Sequence, residues 1–254
     1  MSNKIIILGS SGYIGSNIYN NLKRQNYDII GISRNISNST TNLINDYFKD
    51  IKKVLKLLER DDVIINCLND NKYLNGNISF IEFLLTKINF KVRIIQISSL
   101  SVYISNEKEN SYNENSMLNP VSNYGKIKYI IERAIINNNF VNDYLILRIG
   151  GVFGKRKLPY VLKLKKNKFF YFFLKLIFYR TKLRLISIYN LNKMLVFFLN
   201  KENFDNQIIN IFYEHDFINS DKSIVKVFLK NSFFKKYYLN ITNQKMRENI
   251  NINV

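Results

Sequence analysis

An α/β fold built on a doubly wound parallel sheet is what this sequence predicts, and three features point there. Runs of branched apolar residues alternate with helix-period apolar stripes from Lys4 to Ile149. The runs are short and almost wholly apolar, the pattern of buried strands. Between the first run and the first stripe lies a glycine-rich turn, Gly9-Ser-Ser-Gly-Tyr-Ile-Gly15.

At 254 residues the chain can build one domain with a full core, and 46% apolar content is ordinary for a globular protein. Cys67 is the one cysteine, so no internal disulfide forms; His215 is the one histidine, and no metal site is expected. Lys4 leads straight into Ile5, which reads as a strand rather than a leader. No uncharged run reaches the ~18–20 residues that cross a bilayer. A soluble cytoplasmic protein is the expectation. The net charge of +19 invites a nucleic-acid reading. Against it, the chain is rich in Lys, Asn, Ile, Tyr and Phe, and Ala134 is its only alanine, as drift toward AT-rich codons produces. Such drift spreads lysine everywhere instead of on one face, and no nucleic-acid partner is expected.

The first strand, Lys4 to Leu8, enters the glycine turn, after which Ile14, Ile18 and Leu22 fall at helical spacing. Strand, glycine turn, helix is the context in which this motif binds a dinucleotide. Gly9 permits the tight turn, Gly12 lets the backbone approach a pyrophosphate, and Gly15 lets the helix pack close to its strand. Around Tyr13 and Ile14 the helix N-terminus would turn its N–H groups toward the phosphates. Asp28 to Ser33 is the second strand and ends in Arg34. An acidic residue there would repel a 2′-phosphate, whereas Ser33 and Arg34 suit one. NADP(H) is therefore favoured over NAD(H).

A weak third strand near Leu43–Tyr47 would put Asp46 at its end, within reach of an adenine. Phe48 to Arg60 carries Ile51, Val54, Leu55 and Leu58 on one helical stripe. Asp62 to Cys67 is the fourth strand, and the backbone at Cys67 would line the cofactor. No histidine lies near Cys67 in sequence, which argues against a nucleophilic thiol. Asn77 to Asn89 reads as a further helix. Val92 to Ser99 is the fifth strand and delivers Ser98 and Ser99 at its carboxyl end, the side where open α/β sheets bind ligands. A polar loop runs from Leu100 to Val121, and Asn142 to Ile149 is the sixth strand.

Between that loop and the sixth strand, Ser122-Asn-Tyr-Gly-Lys-Ile-Lys128 opens a helical stripe with Ser122 as N-cap. Tyr124 and Lys128 then share one face, a turn apart. A lone phenol is a poor proton donor near neutral pH, with a reference pKa of about 10. An ammonium beside it favours the phenolate and suits the pair to acid/base work.

These motifs, in this order, resemble the extended short-chain dehydrogenase/reductases (the NAD-dependent epimerase/dehydratase family), nearest their nucleotide-sugar epimerase, dehydratase and reductase branch. The matching pieces are Gly9 to Gly15, Ile97-Ser-Ser-Leu-Ser-Val-Tyr103, Tyr124-Gly-Lys-Ile-Lys128 and Leu147-Arg-Ile-Gly-Gly-Val-Phe-Gly154. The resemblance implies a Rossmann-like fold in which Tyr124 is the acid/base, Lys128 its partner and holder of the nicotinamide ribose, and Ser99 the group polarising the substrate C–O. It also implies substrate contacts from Asn77 and Ser101, and a homodimer. Two departures stand out: Ile149 replaces a usual proline after Arg148, and Asn190 replaces a usual aspartate in Leu185 to Leu191.

Residues 1–150 are thus expected to form the NAD(P)-binding domain with the catalytic residues. Residues 151–254 would complete the sheet and form a reduced C-terminal substrate cap. Within them, Phe169, Phe172, Phe173 and Leu176 recur at helical spacing beside Lys168, Lys175 and Lys182. This reads first as a packed cap helix, and second as a peripheral membrane contact through 168–182. His215 is expected in a loop, without a role. The expected activity is 4-keto reduction of a nucleotide-activated sugar, or epimerisation through one, in surface polysaccharide synthesis. The competing class is a catalytically silent NAD(P)-binding sensor or scaffold.

Overall fold

The computed structural model describes residues 4–68, 74–75, 78–103, 113–154 and 182–216. In chain order the strands are β1 (Ile5–Leu8), β2 (Ile29–Ser33), β3 (Asn42–Leu43), β4 (Val63–Asn66), β5 (Leu74–Asn75), β6 (Ile78–Ser79), β7 (Val92–Ser99), β8 (Val141–Ile149), β9 (Gly151–Phe153), β10 (Lys182–Ser187), β11 (Gln207–Ile211) and β12 (Tyr213–Asp216). The helices are α1 (Tyr13–Arg24), α2 (Ile51–Leu55), α3 (Phe80–Leu85), α4 (Asn123–Ile136) and α5 (Ile188–Leu199). Seven strands, in the order β11-β8-β7-β4-β1-β2-β3, form one sheet with every neighbouring pair parallel. Chain order reverses between β1 and β4, the switch point beside which open α/β sheets take their ligands. The part beyond residue 150 supplies the edge strand β11 and a second sheet of β9, β10 and β12.

Alternation along each strand sorts the core into two layers. Ile5 and Ile7 face one side, where Ile18 and Leu22 of α1 and Leu191, Met194, Leu195 and Phe198 of α5 cover them. Ile6 and Leu8 face the other, against Val54 of α2, Leu84 and Leu85 of α3, and Ile131 and Ile135 of α4. Strands covered on both sides explain the unbroken apolar runs.

The elements differ from expectation where side chains redirect the backbone. The third strand stops at Leu43, because Asp46 turns the chain by accepting from the Phe48 and Lys49 N–H groups. The stripe from Phe48 to Arg60 is helical only over Ile51–Leu55. The helix expected from Asn77 starts at Phe80, where Ser79 caps it by accepting from Glu82 N–H at 3.2 Å. Ile149 stays in β8, paired with Ser99 and Ile211, since it keeps the N–H a proline lacks. His215 lies in β12, opposite Leu183, instead of in a loop. Of the aromatic segment 168–182, only Lys182, which opens β10, falls within the described residues. No helix among the described residues is long and apolar enough to cross a membrane.

Candidate active site

Parallel pairing brings the carboxyl ends of β1, β2, β4 and β7 to one edge, and most of the predicted site residues come with them. Gly9, at the end of β1, has φ 76°, a left-handed conformation that favours glycine. Its N–H and that of Ser10 donate to the Ile32 carbonyl at 3.0 and 3.1 Å, folding the turn onto the end of β2. Gly12 is the exposed N-cap of α1, and Tyr13, Ile14 and the buried Gly15 make the first helical turn. A Cβ on Gly15 would lie 2.4 Å from the Gly9 carbonyl oxygen, whereas one on Gly12 would meet only that oxygen, at 3.2 Å. The result is open backbone over a helix N-terminus, a cradle that fits a dinucleotide pyrophosphate.

Around the cradle, Ser33 is buried, and its hydroxyl donates to Ser11 while accepting from Asn35 N–H at 3.1 Å. Arg34 is exposed just beyond it. Asp46 is half-buried in its turn. Cys67 is half-buried, outside any disulfide, and its N–H donates to the Leu8 carbonyl at 3.0 Å.

At the other end of the edge, Ser122 caps α4 by accepting from Gly125 N–H at 3.0 Å. The helix sets Tyr124, half-buried, and Lys128, buried, on one face, with Nζ 5.7 Å from the ring centroid. Lys128 donates to the carbonyls of Ile97, at 3.0 Å, and Leu68, at 3.5 Å, so the ammonium is fastened between β7 and the chain after β4. Gly125 permits the approach: a Cβ there would lie 2.1 Å from the Ser101 carbonyl oxygen. That contact seats the Tyr124 turn on the Ser99–Ser101 turn. Ser99 is half-buried, accepts from Ser101 N–H at 3.2 Å and donates to the Ser101 hydroxyl at 3.1 Å. Ser101 is exposed, whereas Ser98 is buried and donates away from the edge, to Glu132. Asn77 lies outside the described residues.

Sequence reasoning missed the charged cluster beneath this end. Glu132 and Arg148 are buried, with Nη2 2.8 Å from Oε2 and Nε 3.2 and 3.3 Å from the two carboxylate oxygens. Arg148 Nη1 also donates to the Tyr103 hydroxyl at 2.8 Å and the Glu114 carbonyl at 3.1 Å. Tyr103 in turn donates to Asn210 Oδ1 at 2.7 Å, and Asn210 N–H donates to the Glu114 carboxylate at 2.9 Å. Burial is the largest single influence on Arg148 and works against its charge, but the Glu132 and Tyr103 interactions together outweigh it and hold the guanidinium still more firmly protonated. Burial pushes the Tyr103 phenol above its ordinary range. The cluster ties β7, α4, β8 and β11 together. Two signals pointed to it: a glutamate one turn past Lys128, and an arginine inside an apolar strand.

A parallel open sheet with a glycine turn at its switch point defines the Rossmann-like class of nucleotide-binding α/β proteins. Within it, a sequence model of the NAD dependent epimerase/dehydratase family matches residues 5–175, and this chain belongs to that family, the extended short-chain dehydrogenase/reductases. A Methanocaldococcus jannaschii protein provisionally named UDP-glucose 4-epimerase is 29% identical over 182 residues. That match takes in 61% of this chain and 58% of the relative, so it spans less than two thirds of the relative's length. Among solved structures, UDP-N-acetylglucosamine 4-epimerase from Bacillus cereus superposes with TM-score 0.67 at 17% identity, covering 89% of this chain and 86% of that one. UDP-glucuronic acid 4-epimerase from Bacillus cereus, in complex with NAD, gives TM-score 0.65 at 22% identity, covering 94% and 86%. These likenesses are of fold.

Proposed function

We propose that this chain catalyses nicotinamide-dependent oxidation–reduction at carbon 4 of a nucleotide-activated sugar. The observation that carries the reading is the seating of the Tyr124–Lys128 turn on the Ser99–Ser101 turn, at the same sheet edge as the glycine cradle. When bound, the dinucleotide supplies or accepts the hydride. Gly9, Gly12 and Gly15 with the α1 N-terminus would hold its pyrophosphate. Ser99, whose oxygen accepts from Ser101 N–H, would turn its one proton from the Ser101 hydroxyl to the sugar oxygen where charge develops. Tyr124 moves the proton to or from that oxygen. Lys128, held by two carbonyls, sets its side-chain nitrogen beside the phenol. The UDP-sugar 4-epimerase names of the relatives support both the sugar class and the carbon.

Reduction of a 4-keto sugar with NADPH is the favoured direction, because Arg34 stands exposed at the end of β2, where an acidic residue would exclude a 2′-phosphate. Ser33 contributes less than its position suggested, since its hydroxyl is turned into the glycine loop. A product of this kind serves surface polysaccharide assembly. The test is to incubate the protein with UDP-glucose, UDP-N-acetylglucosamine and 4-keto nucleotide sugars, with NAD(H) or NADP(H), and to follow nicotinamide absorbance and sugar products. NADPH consumed with a 4-keto sugar supports reduction. A UDP-sugar interconverted without net cofactor change makes the chain an epimerase. Dinucleotide binding with no turnover of any of them overturns the catalytic reading and leaves a sensor or scaffold.

A further inference from the structure

We infer that Tyr47 is a positioning residue for the dinucleotide, one hydroxyl that locks the glycine turn, the end of β2 and the Asp46 turn into a single unit. The inference rests on the dinucleotide reading above and adds a residue that no sequence motif marks. Tyr47 is 1% exposed, yet its hydroxyl has work on both sides. It accepts from Gly9 N–H at 3.0 Å and donates to the Ile32 carbonyl at 2.9 Å. The same carbonyl takes the Gly9 and Ser10 N–H groups, so Gly9 N–H is shared between Ile32 and Tyr47. Gly9 is the left-handed residue of the turn, and its N–H direction sets where the following N–H groups point.

Each neighbour of that hydroxyl leads to a different part of the cofactor cradle. Gly9 leads into the pyrophosphate turn, Ile32 directly precedes Ser33 and Arg34, and Tyr47 itself follows Asp46. The ring is wedged in place from behind. Its centroid lies 4.9 Å from that of Phe80, and Phe48 meets Phe80 edge-on at 5.7 Å. A rigid aromatic stem with one hydroxyl at its tip loses little freedom on ordering, which suits it to fix a loop.

Tyr47→Phe keeps the ring against Phe80, removes the hydroxyl, and leaves Gly9 N–H with Ile32 alone. The dissociation constants of NADH and NADPH are expected to rise about three- to tenfold, the range of one neutral hydrogen bond. KM for the sugar should hold. In the dinucleotide-free protein, amide exchange over residues 9–12 should accelerate, because the turn has lost an anchor. Val54→Ala, in the same half of the core, controls for stability: it should lower Tm with the dissociation constants unchanged. Unchanged binding and unchanged exchange in Tyr47→Phe overturn the inference. So does equal weakening in Val54→Ala, which would make the effect one of general stability. If the unaltered protein binds neither dinucleotide, the functional reading fails, and the exchange measurement alone still decides whether Tyr47 anchors the turn.

Discussion

The glycine-turn end of the site is held by neutral, short-range restraints, whereas the Tyr124 end is held by buried charge. At the first, Ser11, Ser33, Ser39 and Tyr47 exchange hydroxyl hydrogen bonds with one another and with loop backbone. At the second, Lys128, Glu132 and Arg148 are 3%, 1% and 2% exposed, deep enough that each charge depends on its partners. A neutral hydrogen bond contributes about 0.5–1.5 kcal/mol net, so the loop end tolerates single changes and tunes affinity. Breaking a buried ion pair costs about 3–5 kcal/mol, so single changes at the Tyr124 end weigh on stability far more. The difference suits the tasks proposed for the two ends. Binding needs a backbone cradle of the right shape, and proton transfer needs a fixed oxygen.

The contrast can be broken at its strongest point first. Tyr124→Phe keeps the ring and removes the proton, and turnover should fall roughly 10²–10⁴-fold, while fluorescence titration shows dinucleotide binding near normal. Persisting turnover would move the acid elsewhere. Next, Glu132→Gln leaves Arg148 buried without its counter-charge, and denaturant unfolding should show a loss of about 3–5 kcal/mol. Replacing both partners with apolar residues, as in Glu132→Leu with Arg148→Met, should recover most of it. A small loss in the single variant would mean that Tyr103 and Glu114 suffice for Arg148.

At the loop end the effects should shrink. Arg34→Ala should weaken NADPH roughly tenfold or more, as a lost charge-assisted bond to phosphate does, and leave NADH unchanged. Equal weakening of both would remove Arg34 from the 2′-phosphate argument. The smallest effect concerns Asp50, which is half-buried and accepts from Lys53, Asp46 N–H and Asn45 N–H; these hold its carboxyl at about 2, below the ordinary 3.8. A lowered folded value means its contribution is present above about pH 4 and is lost as pH falls through 2. The Tm difference between the unaltered protein and Asp50→Asn should therefore close between pH 4 and 2. A difference that stays constant would show that the carboxylate does not hold the Asp46 turn.

Local period and local chemistry write part of this protein directly into the chain. The buried strands, the glycine turn with its helix, the Ser122 cap and the Tyr124–Lys128 spacing each depend on residues within a turn or two of one another. Their order along the chain was enough to name the family. Packing sets the rest, because the partners are far apart along the chain. Ser98 and Ser99 differ only in facing Glu132 or the open edge, and the pairing of β7 with β8 sets which does which. Arg148 finds Glu132 only once α4 lies against β8. Tyr47 reads as the tail of a weak strand until Gly9, 38 residues away, meets its hydroxyl. Local spacing can place a side chain on a face, but only packing determines what that face meets.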